Sequence, residues 1–313
     1  MKLEKTCTLK LETEKPFNFR FTVWKPSHFV SPLEIFDKNR DVCYRTFIIN
    51  GKPIGIKLSK SGWTGIKAEV YSKKTLTKEQ KAALTEKLRW SYGLDEELNQ
   101  FDKLARKDKL LKPTLKLLKG TRNSCPHTIF EILCISLVLQ NTNVKRSQNM
   151  LNALLNNYGT KIKFSGREMY SFFTPEKINK ISEEELREKC RLGYRAKFLK
   201  SIAENFSNPD IESKVKTLSY EEAREYLMKI KGIGPYSATI AIVEYLRFPN
   251  YMVLDIWSNK VFSKLFFKHE NSNPDRIQKE ASRRWGEYKG LAASYLMEYL
   301  YYKEKVNSRG NVK

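Results

Sequence analysis

The stretch Lys231-Gly232-Ile233-Gly234-Pro235-Tyr236-Ser237-Ala238, followed later by Val253-Leu254-Asp255, contains the residue types that most directly suggest chemistry in this chain. Gly232 can take a positive φ, and Gly234 lets the backbone come close to a ligand. The helix that follows presents unpaired N–H groups and its positive dipole end to an anion. Gly232, Gly234, Tyr236 and Ser237 are therefore the candidate phosphate grip, with the Asp255 carboxylate placed beside it. Each feature also has a plainer reading, the glycines as an ordinary corner between helices and Asp255 as an N-cap.

The flanking pattern supplies the elements that would hold these residues. Ala223, Tyr226, Leu227 and Ile230 before the turn, and Ala238, Ile242 and Leu246 after it, recur at helical spacing. Phe248-Pro249-Asn250 ends the second helix, Tyr251 to Leu254 can run extended, and Asp255 opens a further amphipathic helix. Other helices are expected over Glu96–Ala105, Thr114–Lys119, Pro126–Leu139, Val144–Tyr158, Pro175–Lys180, Glu183–Cys190, Tyr194–Phe206 and Pro274–Tyr301. The first hundred residues read differently. Phe17, Phe19, Phe21 and Val23 alternate with polar neighbours as in a strand, Val42–Ile49 with Asn50-Gly51 signals a hairpin, and Gly65–Tyr71 continues a sheet. The fold class is α+β: an N-terminal antiparallel sheet domain over residues 1–95, a mostly helical core over 96–302 with the helix-hairpin-helix at 221–247, and a polar basic tail over 303–313.

Composition narrows the partners. Among 313 residues, 58 Lys and Arg against 35 Asp and Glu leave a net charge of +23, more than solubility requires, and 12% of residues are aromatic. A polyanion whose bases can stack on aromatic rings fits both facts, so nucleic acid is the expected partner. No apolar run approaches the roughly 20 residues that span a bilayer, and Met1 to Lys5 has no hydrophobic signal core. A soluble monomer without membrane contact is expected, cytoplasmic and nucleoid-associated in a prokaryote. Cys7, Cys43, Cys125, Cys134 and Cys190 contain no CxxC pair, so neither a metal site nor a disulfide framework is expected.

The hairpin followed by Leu254-Asp255 closely resembles the helix-hairpin-helix, Gly-Pro-Asp (HhH-GPD) superfamily of DNA glycosylases. Three further segments carry the resemblance: Leu139-Gln140-Asn141-Thr142-Asn143-Val144, Arg191-Leu192-Gly193-Tyr194-Arg195-Ala196-Lys197, and Trp285-Gly286-Glu287-Tyr288-Lys289-Gly290. A sheet ahead of a helical core is similar to the larger members, those like the alkyladenine and 8-oxoguanine glycosylases. The resemblance implies base excision on damaged double-stranded DNA with Asp255 as the catalytic carboxylate. It also implies that Asn141, in the loop with Gln140, fills the gap left by an everted base; the alternative for Asn141 is a cap on the helix at Val144. Tyr236 falls where the strand-cleaving relatives carry a lysine, so base release without nicking is expected. Ala293 falls where 8-oxoguanine readers carry a glutamine. Tyr236, Trp257, Trp285 and Tyr288 are the candidate pocket aromatics, whose faces would favour cationic alkylated purines such as 3-methyladenine. With no cysteine after Cys190, the iron–sulfur branch is set aside. No redox or organic cofactor is implied, although related hairpins hold a monovalent cation. Two alternatives are a glycosylase for oxidised or deaminated bases (8-oxoguanine, hypoxanthine, uracil) and a non-catalytic DNA-binding module.

Overall fold

The protein is described by a computed structural model that covers residues 1–25, 27 and 32–310, with side chains through 305. Its N-terminal part is an antiparallel sheet of β1 (Glu4–Glu12), β2 (Glu34–Asp37), β3 (Val42–Ile49), β4 (Lys52–Ser61) and β5 (Gly65–Ser72), in the order β1-β5-β4-β3-β2. Asn50 and Gly51 both take positive φ, 48° and 70°, which gives the two-residue turn whose twist suits paired strands and sets Ile49 opposite Lys52. The expected hairpin and the strand at Gly65 are both present.

The segment from Phe17 to Trp24 corrects the strand expected there. It folds as the short helix α1 (Phe19–Val23), capped by Asn18, whose side chain accepts from Phe21 N at 3.2 Å. Buried Phe19, Thr22 and Val23 suit one face of a helix, although the apolar alternation alone equally suited a strand. Distant partners decide between them. Asn18 Nδ2 donates to Leu117 O (2.9 Å), and Thr22 Oγ1 accepts from Arg122 N (3.1 Å).

Helix α2 (Lys78–Ser91) packs Leu84 and Leu88 under one face of the sheet, against Phe47, Ile54, Ile56 and Leu58. Beyond it come α3 (Asn99–Lys107), α4 (Leu115–Leu118), α5 (Ile129–Leu139) and α6 (Val144–Tyr158). A second hairpin, β6 (Thr160–Phe164) with β7 (Arg167–Ser171), interrupts the stretch read as helical and covers the other face of the sheet, Ile162, Phe164 and Met169 meeting Val42, Tyr44 and Tyr71. The chain then resumes as α7 (Pro175–Asn179), α8 (Glu183–Cys190), α9 (Arg195–Phe206), α10 (Asp210–Lys216), α11 (Tyr220–Met228), α12 (Pro235–Ile240), α13 (Ile256–Phe267), α14 (Pro274–Trp285) and α15 (Lys289–Gly310). The single helix expected over Pro274–Tyr301 is thus divided by a 3-10 turn at Gly286–Tyr288. The basic tail expected from 303 is helical to Gly310, with Lys303 over Tyr299 and Lys305 over Tyr301 one turn apart; residues 311–313 lie outside the described residues.

The helices form two apolar clusters. One surrounds α5, which is buried along most of its length, and includes α6, α8, α9, α11 and α12. The other joins Phe101, Phe262, Trp285 and Tyr295 from α3, α13, α14 and α15. The segment from Pro249 to Leu254 crosses between them and is held from three sides. Gly290 N donates to Pro249 O (2.7 Å), Gln278 Nε2 donates to Met252 O (2.8 Å), and Tyr251 stacks on Tyr220 at 3.4 Å while its hydroxyl donates to Glu221 Oε1 (2.6 Å). Gly290 permits this approach because a Cβ there would stand 2.1 Å from Tyr251 O. Gly290→Ala is therefore expected to overpack this junction at a cost of about 1–3 kcal/mol, seen as a melting temperature several degrees lower. An unchanged melt would mean that the crossing segment shifts freely.

Candidate active site

The glycine turn joins α11 to α12, and a π-helical turn at Ala241–Tyr245 extends α12. Gly232 has φ +98°, and a Cβ on it would meet Phe198 Cβ at 2.4 Å, so both backbone conformation and packing against α9 require glycine. Gly234 is the N-cap of α12, and nothing lies within 4 Å of a Cβ built there. The first intrahelical bond runs from Ala238 N to Gly234 O (3.0 Å), so the Tyr236 and Ser237 N–H groups precede it and point toward the open end. Ser237 contributes only its backbone there, because its side chain is buried and accepts from Gln140 Nε2 at 3.3 Å.

That bond changes the reading of the Gln140-Asn141 loop. Gln140 Nε2 also donates to Gly232 O (3.3 Å), so this amide clamps the loop to the hairpin rather than facing outward. Arg195 is buried and donates to Gln140 O. Asn141 is exposed with φ +46°, and its Nδ2 donates to Tyr194 OH (3.3 Å). The cap on α6 is Asn143, whose side chain accepts from Arg146 N (2.9 Å), and Asn141 is thereby left at the tip. Lys145, Arg146, Arg191 and Lys197 are exposed.

Asp255 is the N-cap of α13 in a reciprocal box with Ser258. Its Oδ1 accepts from Ser258 N (2.7 Å) and Ser258 Oγ (2.6 Å), while Asp255 N donates to Ser258 Oγ (2.8 Å). The cap expected of this residue is present, and it leaves one oxygen free: Oδ1 does the capping and Oδ2 has no hydrogen-bond partner among the described residues. Asp255 stands on the rim of a cavity of about 700 Å³ between the two apolar clusters. Tyr236 and Trp257, 47% and 41% exposed, line it as well, with Trp257 edge-on to Tyr301. Burial, and then the charges of Asp255 and Glu244, push the Tyr236 phenol up to about 12. Tyr288 lines the cavity against Phe101, and the Ala293 methyl lines it too. Trp285 does not: it is fully buried between Phe262 and Phe266, so the indole expected in the pocket belongs to the core.

Sequence reasoning missed the charged side chains deeper in the cavity. Lys25 Nζ donates to Asn123 Oδ1 (3.0 Å), which also accepts from Ser294 Oγ (2.9 Å). Glu298 accepts from Ser27 N (3.1 Å) and from Ser27 Oγ, and Arg247 pairs with Glu96 (2.5 Å). Glu244, on the π turn, opens into the cavity. Enclosure by the walls pushes its carboxyl above the usual range, Lys25 opposes that and Glu298 adds to it. Its helical spacing from Tyr236 was the one signal available in the sequence. Among the described residues no group of three or more His, Cys, Asp or Glu side chains could hold a metal, and no helix is long and apolar enough to cross a membrane.

Comparison with known proteins places this architecture. Over 212 residues the chain is 25% identical to the DNA-3-methyladenine glycosylase of Bacillus subtilis, covering 67% of this chain and 70% of that protein. The structure matches the 3-methyladenine DNA-glycosylase of Archaeoglobus fulgidus with a TM-score of 0.77 at 20% identity, over 94% of this chain and 97% of that one. It matches the apo 8-oxoguanine glycosylase/lyase of Clostridium acetobutylicum with a TM-score of 0.72 at 20% identity, over 96% and 99%. At these identities the two structural matches establish the fold. Residues 134–287, which hold the loop of Gln140 and Asn141, the glycine hairpin and Asp255, match the family described as the HhH-GPD superfamily base excision DNA repair protein.

Proposed function

We propose that this protein is a monofunctional DNA glycosylase that everts an alkylated purine nucleotide, hydrolyses its N-glycosidic bond and leaves an abasic site. The observation that carries this reading is Asp255: a carboxylate held by its own cap on the rim of a base-sized cavity, with one oxygen unengaged, beside a hairpin that offers backbone N–H groups. As the bond from C1′ to the base nitrogen lengthens, its electron pair leaves with the base and positive charge gathers on the sugar. A fixed carboxylate stabilises that charge and can take a proton from the water that bonds to C1′. The hairpin and the exposed Lys145, Arg146, Arg191 and Lys197 would take phosphates, and Asn141 at its loop tip would enter the vacated stack.

Two features favour a cationic alkylated purine. The rim aromatics Tyr236 and Trp257 offer π faces, and acidic Asp255 and Glu244 act on the same space, so a positively charged base is held better than a neutral one. Ala293 offers only a methyl group where the family's 8-oxoguanine readers carry a glutamine. Tyr236 cannot form an imine with the sugar, and with its phenol at about 12 it remains neutral at working pH. The reaction so described uses no redox or organic cofactor.

Asp255→Asn keeps a good helix cap, so the variant is expected to fold normally while base release from methylated DNA falls at least about 10²-fold and binding to abasic duplex persists. Undiminished release would remove Asp255 from the mechanism. Borohydride added during turnover is expected to trap no protein–DNA adduct, and a trapped adduct would show lyase chemistry. Asn141→Ala should reduce the fluorescence change of a base analogue next to the lesion, with little effect on thermal stability. Single-lesion duplexes carrying 3-methyladenine, N7-methylguanine, hypoxanthine, uracil or 8-oxoguanine rank the substrates directly; release of the last three without either of the first two would reverse the preference proposed here.

A further inference from the structure

Of the charged side chains that line the cavity, all but one have a partner within the protein. Asp255 is bonded to Ser258, Lys25 to Asn123, Arg247 to Glu96 and Glu298 to Ser27, whereas Glu244 has no hydrogen-bond or ion-pair partner among the described residues. Glu244 is exposed on the cavity wall, so its carboxylate is open to a ligand, and the surrounding protein raises its pKa above the usual range. A ligand that brought N–H donors or positive charge would offset that shift.

Position narrows which part of a ligand Glu244 meets. Tyr236 and Glu244 lie on one continuous helical segment, with Ile240 between them also lining the cavity. Eight residues of helix advance about 12 Å, so Glu244 and the Tyr236 backbone stand about two turns apart along one wall of the cavity. Asp255, Tyr236 and Glu244 all line the one cavity, and both acids act electrostatically on the Tyr236 phenol. With the sugar at Asp255, the purine edge opposite the glycosidic nitrogen points inward.

We propose that Glu244 is the specificity residue of this cavity and that its carboxylate accepts the two N–H donors, N1–H and the 2-amino group, of an N-alkylated guanine. This deepens the glycosylase reading and rests on it. Guanine presents two roughly parallel donors to the two carboxylate oxygens, and alkylation at N7 adds the positive charge that the unpartnered acid lacks. An adenine edge presents one donor beside the N1 lone pair, which a carboxylate opposes. The residue is thus matched to alkylated guanine and mismatched to alkylated adenine, within the class of bases the rim aromatics accept.

Glu244→Gln tests this because an amide reverses the match, with its oxygen accepting from the adenine amino group and its nitrogen donating to adenine N1. On duplexes containing N7-methylguanine or 3-methyladenine, the variant is expected to lose about tenfold or more in kcat/KM on the guanine lesion and to keep or gain activity on the adenine lesion. The intrinsic lability of each base cancels in the ratio of variant to wild type. Glu244→Asp, which keeps the acid but shortens its reach, should lose the guanine lesion without gaining the adenine lesion. Equal effects of Glu244→Gln on both lesions, or none, would overturn the assignment. Binding of the free bases 7-methylguanine and 3-methyladenine, read by quenching of tryptophan fluorescence in Asp255→Asn with and without Glu244→Gln, decides the same point without catalysis. If wild type releases neither base, the glycosylase reading falls, while a free-base preference that reverses with Glu244→Gln would still support Glu244 as the reader; a preference that does not change would overturn it.

Discussion

One carboxylate must be held still on the rim of a cavity without having both oxygens occupied. A capping aspartate meets that demand in a particular way. Oδ1 of Asp255 ties down the first turn of α13 through two bonds from Ser258, and the same bonds fix the direction of Oδ2. The cap and the free oxygen are therefore one arrangement. Its accuracy depends on the segment that leads into it, and that segment is fastened to α11, α14 and α15 by Tyr251, by Met252 O and by the close approach of Gly290. Three helices from distant parts of the chain share the positioning of one residue.

The hairpin and the loop of Asn141 behave as a single surface for a similar reason. Gln140 joins them by bonding both Gly232 O and Ser237 Oγ, while Arg195 holds the Gln140 carbonyl from α9. These groups are buried or half-buried, where a hydrogen bond is poorly replaced by water and its loss leaves an unsatisfied partner. This network holds the hairpin and the tip of the Asn141 loop at a fixed spacing.

The N-terminal sheet is more than an appendage to the helical body. Arg45 from β3 donates to Cys125 O (3.1 Å), His127 Nε2 lies 2.7 Å from Thr46 O, and Trp90 Nε1 donates to Tyr245 O (3.0 Å) on the π turn that carries Glu244. The segment after α1 brings Lys25 and Ser27 into the cavity. The charge environment of the inner wall is thus assembled from both ends of the chain. Burial also pushes the His127 ring well below its ordinary range, so it is neutral where it bridges sheet and helix.

Local patterns in the sequence determined a good deal. Periodicity placed α6 and α8 at their observed bounds, Asn50-Gly51 specified its turn, and the paired glycines with the later aspartate identified hairpin and acid, because each depends on neighbours a few residues away. Where a pattern was compatible with two structures, tertiary contacts chose. Phe17 to Trp24 became a helix through bonds to residues near 120, and the β6–β7 hairpin found its place only against a sheet formed a hundred residues earlier. The same division runs through the site. Tyr236 and Asp255 were legible as types at a spacing, but only packing could show that Trp285 fills the core, that Gln140 faces inward, and that Glu244 lacks a partner among the described residues, because burial and pairing are properties of side chains brought together from remote segments.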